Sequence, residues 1–273
     1  MGFRLTQNDL PLLKVINDCQ ALTMRQLITW RWNSANPAYT RVRQLLQQGY
    51  LEQHFITMVA AAPIAATKVL TISPLGAAAL AQAYGYDEHD FYFASPQIRN
   101  WKTLQTLLAT NDFRVALLRA CHDHPEYEVV EWRNEAVFRG KPIHVSVKDK
   151  SGQKRKPLFP DGFFILQHAN RRSYHFLEAD NGTETYAQFR SQLEVYQAYI
   201  ASGLHQELFG VKTLNILIVT TTAHRLQKLQ QLTAQVGGGQ RYRFSLYAQA
   251  TPQALLTTPI WQRLGEDQPR VLM

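Results

Sequence analysis

Two stretches decide how the chain is read: LFPDGFFIL, residues 158–166, and YHFLEADNGTE, residues 174–184. Each holds an apolar run of strand length with carboxylates at one end. Pro160-Asp161-Gly162 leads into the first run, and Glu178-Ala179-Asp180 closes the second. Side chains alternate faces along a strand, so Glu178 and Asp180 share one face and Ala179 takes the other. If the two runs are neighbouring strands, Asp161 and Glu178 come together at one end of a sheet. Each stretch also has a plainer reading. Pro-Asp-Gly is an ordinary turn signal, and Asp180-Asn181-Gly182 can close a strand before Thr183 starts a helix. Both features on adjacent strands, in one order, favour a built acidic site.

The flanking sequence supplies that order. A helix is expected from about residue 97 to 121, with Trp101, Leu104, Leu107, Leu108, Val115 and Leu118 on its apolar face. YEVVEW (127–132) reads as a strand and residues 141–167 as a hairpin. Its turn is Asp149-Lys150-Ser151-Gly152, with Lys148, Lys150, Lys154, Arg155 and Lys156 around it. SYHFLEAD (173–180) is the next strand and residues 185–203 a helix. LNILIVTTT (214–222) is a continuous apolar run suited to a buried strand. A helix (223–236) and a last strand (242–250) follow. Helix, three strands, helix, strand is similar to the PD-(D/E)xK nuclease core. There, carboxylates at the ends of adjacent strands hold a divalent metal.

That resemblance assigns Asp161 and Glu178 to the leading positions and makes Mg²⁺ or Mn²⁺ the implied cofactor. Glu131 or Glu135 would add a ligand. Hard cations of this kind take one or two carboxylates plus water and phosphate. Where the nuclease pattern has lysine, this chain has Asp180. Three readings stay open: Asp180 is a further metal and catalytic group, the basic role has moved to Lys156 or Arg190, or cleavage is lost.

The first part of the chain has a different grammar. Thr6-x-x-Asp9 resembles a capping box that opens a helix with Leu10, Leu12, Leu13, Val15 and Ile16 as its apolar stripe. Thr23 caps a second helix. Ser34 or Asn36 caps a third, with Pro37 in its first turn and Gly49 at its close. YLEQHFITM and TKVLTIS read as a two-stranded ribbon, and Ser73-Pro74 opens another helix. Three helices, a ribbon and a helix is the order of a winged helix-turn-helix. The third helix would then enter the major groove of double-stranded DNA. Its polar face presents Tyr39, Thr40, Arg41, Arg43, Gln44 and Gln47, with Arg41 and Arg43 as the main contacts. Arginine suits guanine edges or phosphate, and glutamine suits adenine. Residues 59–67 would form the wing tip, with Lys68 and His54 near phosphates. The plainer reading is a dimerisation module whose arginines are simply solvated.

The expected architecture is therefore α+β: a winged helix over residues 1–86, a connector over 87–96, and a PD-(D/E)xK-like α/β domain with a mixed central sheet over 97–273. Among the 273 residues, 29 are Lys or Arg and 21 Asp or Glu, a net charge of +8 that favours a polyanionic partner. Two well-separated cysteines, with no CxxC, read as buried thiols. No apolar run approaches the roughly 18 residues that span a bilayer, and no signal-peptide pattern opens the chain, so a cytoplasmic protein that engages no membrane is expected. GxxxxGK[ST], GxGxxG and GxSxG do not occur, which leaves nucleotide hydrolysis and serine-hydrolase chemistry unsupported. His122-x-His124 lies near a helix end without cysteine partners and reads as a solvated terminus.

LTQNDLPLLKVI, LTMRQL, RVRQLLQQGYL and LTISPLGAAAL in the first half, then ATNDFRVALLRA, FPDGFFIL, FLEADNGTET and the late PIW, together resemble the replication-relaxation family of plasmid and mobile-element proteins. The resemblance implies an N-terminal winged helix and a role in replication and DNA relaxation. Asp161, Glu178 and Asp180 match the family's acidic pattern. Ala179 and Asn181 depart from it, standing where larger or basic residues are common. Three functions follow: a DNA-binding protein of such an element, a metal-dependent nicking endonuclease using Asp161 and Glu178, or a transcriptional regulator whose second domain only dimerises or senses. A homodimer on two half-sites fits the first and third. Replication or transfer proteins are further expected partners, for instance a recruited relaxing enzyme.

Overall fold

The computed structural model describes residues 3–57, 66–87, 91, 101–149 and 152–273. It is α+β, with nine helices and a mixed sheet among the described residues. The chain divides into two compact units, Met1–Val115 and Ala116–Met273. The division falls inside a helix, downstream of the connector expected over 87–96. Most of that connector and residues 59–65 of the expected wing tip lie outside the described residues.

The first unit runs α1 (Asp9–Asp18), α2 (Met24–Arg31), α3 (Ala35–Gln47), β1 (Leu51–Thr57), β2 (Ala66–Ile72), α4 (Pro74–Tyr84) and the start of α5 (Trp101–Asp123). Local chemistry sets these boundaries. Thr23 and Gln26 form a reciprocal capping box, which satisfies orphan N–H groups at the start of α2. Ser73 accepts the Gly76 N–H, and Pro74 takes the first turn of α4, where its missing N–H costs nothing. α1 begins three residues after Thr6 because Asp9 turns back. Its carboxylate accepts both the N–H and the hydroxyl of Thr6, at 2.6 and 2.7 Å.

Leu13, Ile16, Leu27, Leu45 and Leu80 are wholly buried, α2 packs on α3, and α1 packs on α4 and β2. β1 and β2 pair antiparallel, Leu51 opposite Ile72. Gly76 has to be glycine. A Cβ there would lie 2.2 Å from the Tyr50 carbonyl, so α4 closes onto the entry of β1. α5 is fastened by side-chain amides: Asn111 donates to the Cys19 and Ala21 carbonyls at 2.9 and 2.8 Å.

In the second unit, β3 (Tyr127–Asn134), β6 (Gly162–His168) and β7 (Arg171–Ala179) form an antiparallel meander. β8 (Asn215–Thr220) and β9 (Tyr242–Leu246) extend it in parallel. α7 (Tyr186–Ala201) and α9 (Ala223–Gln235) make the crossovers. The edge is β10 (Gln262–Arg263), antiparallel to β9, giving the order β10-β9-β8-β7-β6-β3. α8 (Leu204–Phe209) follows α7.

Between β3 and β6 are inserted α6 (Glu135–Gly140) and a separate two-stranded sheet, β4 (Ile143–Asp149) with β5 (Gly152–Leu158). The hairpin expected over 141–167 is thus two structures. Burial explains the split. β5 is exposed along Gln153–Arg155, whereas β6 is buried from Gly162 through Leu166 and belongs in the central sheet. Phe163, Phe176, Tyr196, Ile216, Ile218 and Phe244 are the heart of the core on the α7 side. No helix among the described residues is long and apolar enough to cross a membrane.

Candidate functional site

The β6–β7 register, Gly162 opposite Leu177, extends by one residue to place Asp161 against Glu178. Asp161 is fixed by the strand it faces: its Oδ2 accepts the Ala179 N–H at 2.7 Å. Gly162 follows because Trp132 lies over it. An added Cβ would meet the indole at 3.0 Å, and the same indole stacks on Phe164 at 5.5 Å. Glu178 is held from α7. The Gln192 amide donates to its Oε2 at 2.5 Å, and the Tyr196 hydroxyl donates to its Oε1. Gln192 and Tyr196 are four residues apart, hence on one helical face.

Burial raises Asp161 to about 8, and the charges of Glu135, Glu184 and Asp180 add to the rise against the Ala179 N–H. Burial and then Asp161 raise Glu178 well above the ordinary carboxylate range, despite the Tyr196 hydrogen bond. Tyr196 is raised in turn by burial and by Glu178. Two buried carboxyls that repel each other take up a proton or a cation to remain together.

Asp180 has a different occupation. Arg225, from the first turn of α9, grips it with two hydrogen bonds of 2.5 and 2.6 Å, and the Thr220 hydroxyl donates at 2.5 Å. Its side chain is 2 % exposed. Arg225 is raised by this hydrogen bonding and by the attraction of Asp180. The carboxylate charge is therefore neutralised within the fold.

Glu131 pairs with Arg133, Glu135 with Arg139, and Arg190 with Glu194. Lys156 donates to Ser191 at 3.3 Å. Among the described residues, no group of three or more His, Cys, Asp or Glu is arranged to hold a metal. Asp161 and Glu178 have the oxygen chemistry that suits Mg²⁺ or Mn²⁺ with water and phosphate. Asp180 does not, since Arg225 and Thr220 take both its oxygens. Arg225, Tyr196, Gln192 and Trp132 are the site residues that sequence reasoning missed. The spacing of Gln192 and Tyr196 was a signal for a shared face, but nothing local pointed that face at Glu178.

The first unit carries a second surface. On α3, Tyr39, Thr40, Arg43, Gln44 and Gln47 are exposed. Arg41 turns back: its Nε donates to Asp9 at 2.6 Å, and its Nη2 to Asp9 and to the Arg4 carbonyl. Its Nη1 donates to Gln44 at 2.8 Å, and its guanidinium lies 4.8 Å from the Phe3 ring centre. Burial of Asp9 works against its charge, but the hydrogen bonds from Arg41 and Thr6 hold it below its ordinary value. Arg41 thus braces α3 against α1, with Gln44 accepting from its guanidinium. Arg43 and Tyr39, with Arg25 and Gln53, line a cleft of about 500 Å³ with Lys68 of β2. Lys68 also sits 5.3 Å over Phe55, and His54 meets the Thr71 hydroxyl at 2.9 Å.

No curated protein and no solved structure matches the chain. A family model described as Replication-relaxation matches residues 13–214. The match spans more than half of the chain and takes in both α3 and the strand ends that carry Asp161 and Glu178. The chain belongs to the replication-relaxation family.

Proposed function

We propose that the chain is a DNA-binding protein of a plasmid or integrated mobile element, acting in replication or relaxation of that element's DNA. The carrying observation is the cleft beside α3, where exposed Arg43 and Tyr39 stand next to Lys68 on the ribbon. Three helices, an antiparallel ribbon and a following helix support a winged-helix reading of the first unit, with α3 in the major groove. The net charge of +8 favours the same partner. Arg41 is engaged by Asp9 and Gln44, while Tyr39, Thr40, Arg43, Gln47 and Lys68 are left for DNA. The test is duplex binding by fluorescence anisotropy across a salt series. The Arg43→Ala/Lys68→Ala pair should bind more weakly and flatten the slope of log K against log salt by roughly 1.8, about 0.9 per phosphate contact. An unchanged slope and affinity would reject the assignment.

A second reading is favoured by the buried carboxyl pair. The order of the meander β3-β6-β7, the α7 crossover and β8 is similar to that of a PD-(D/E)xK core, which supports a reading in which Asp161 and Glu178 take its leading positions. These two residues would hold Mg²⁺ or Mn²⁺, which polarises phosphate and acidifies water when bound. The chain's own contribution is positional: Ala179 N–H orients Asp161, and Tyr196 with Gln192 orient Glu178. Supercoiled plasmid incubated with protein and either metal tests it. Nicking that Asp161→Ala and Glu178→Ala abolish supports an endonuclease with an altered motif. No nicking alongside retained DNA binding supports a non-cutting accessory protein.

A further inference from the structure

The second unit contains a cleft of about 610 Å³ at the N-terminal edge of β8 and β9. It lies at the other end of β8 from Thr220 and the carboxylates. Six residues of strand separate the two ends, roughly 17 Å at about 3.3 Å per residue. Arg241, Arg243 and Arg263 line it, with Asn215, Gln197 and the 237–240 glycine turn.

The arginines are placed against ordinary sheet energetics. Arg243 and Arg263 are directly opposite each other in the β9–β10 register. Like charges in that relation destabilise a sheet. Arg243 is 8 % exposed, and its Nε has no hydrogen-bond partner. One of its Nη atoms reaches the Leu272 carbonyl. The buried Nε of Arg263 also lacks a partner. Arg241 donates to the Lys212 and Leu214 carbonyls at 3.1 and 3.4 Å, which are neutral acceptors. Glu266 approaches Arg263 at 3.5 Å but is shared with Arg270 at 2.8 Å. Burial, and then Arg263, push Arg243 down to about 10. Neighbouring His175 is held well below its usual value by burial and by Arg243, so it adds no charge of its own.

A buried guanidinium needs a counter-charge and matched acceptors. Arginine forks match the paired oxygens of a phosphoryl group. The cleft has the volume of a small-molecule site, and Arg243 is only 8 % exposed within it. We propose that this cleft binds the phosphoryl groups of a small di- or triphosphate, with Arg243 at its floor and Arg241 and Arg263 at its rim. The side-chain amides of Asn215 and Gln197 offer contacts to the rest of a nucleotide-sized ligand. The proposal is independent of the DNA and nuclease readings.

The test is calorimetric titration of the full chain with pyrophosphate and with ATP, free of divalent metal and at constant ionic strength. Saturable binding is expected, weakened at least tenfold in Arg263→Gln and Arg241→Gln and unchanged in Asp161→Asn. Arg263 and Arg241 are chosen because they lie at the rim, and thermal unfolding checks that each variant is folded. ATP binding more tightly than pyrophosphate would support the amide contacts. Absence of saturable binding, or equal binding by wild type and folded Arg263→Gln, would overturn the assignment. So would duplex DNA that displaces pyrophosphate with the same Arg263 dependence, since the arginines would then be a backbone contact.

Discussion

Replacing Asp161 with Asn should stabilise the protein, and the gain should grow with pH. A carboxyl whose folded pKa lies above its unfolded value keeps its proton in the folded state after the unfolded chain has lost it. Folding is then progressively penalised as pH rises from the unfolded pKa to the folded one. For Asp161 that window runs from 3.8 to about 8. At about 1.4 kcal/mol for each tenfold change in proton affinity, the full penalty is on the order of 5 kcal/mol. Asn keeps an oxygen for the Ala179 N–H and never ionises. Thermal unfolding of wild type and Asp161→Asn at pH 5, 7 and 9 measures the difference. The two should differ by a few degrees at pH 5 and by roughly 10–20 °C at pH 9, at about 2–4 °C per kcal/mol for a unit of this size. Parallel pH profiles would refute the reasoning, because they would mean Asp161 is not held protonated. Mg²⁺ at pH 8 should narrow the gap by stabilising wild type alone if the pair takes a cation.

Other substitutions probe the supporting contacts. Arg225→Met strands the buried Asp180 charge and should cost about 3–5 kcal/mol in urea unfolding, with much of the loss recovered by adding Asp180→Leu. Gly162→Ala forces a methyl against Trp132 and should cost about 1–3 kcal/mol while changing the near-ultraviolet circular dichroism of that indole. Arg41→Ala removes the partner of Asp9 and should cost roughly 3 kcal/mol. Arg43→Ala, two residues on, should stay within about 0.5 kcal/mol of wild type. Chemical denaturation of the two variants side by side separates a bracing arginine from an exposed one.

Much of this architecture is written locally. Thr23 with Gln26, and Ser73 with Pro74, announce helix starts through chemistry within one turn. The run Asn215–Thr220 announces a strand buried on both faces. The pairing of Asp161 with Glu178 was also legible, because strand ends and a two-residue period fix it without knowledge of distant contacts. What escaped depends on partners far along the chain. Arg41 finds Asp9 across 32 residues and Arg225 finds Asp180 across 45. On a helical wheel Arg41 borders the stripe of Ala38 and Leu45, a position from which a long side chain turns inward as readily as outward. Residues 141–167 have strand character in both halves, which suggests one hairpin; only the full burial of β6 separates them. The short helices α6 and α8 and the two-residue β10 have too few residues to carry a periodic signal.

The grip of Arg225 on Asp180 also constrains the routes by which this sequence can change. A lysine at position 180 would complete the PD-(D/E)xK pattern that the sequence resembles in a single substitution. That step places a cation against Arg225 in a nearly sealed pocket and leaves Thr220 without its acceptor. Removing Arg225 first strands the Asp180 charge instead, so neither order is neutral and the two positions have to change together. In such a lineage the two positions form a ratchet. With the arginine settled on the aspartate, a descendant acquires lysine in single steps only by passing through a weakened intermediate, and selection for folding alone keeps the present pair in place.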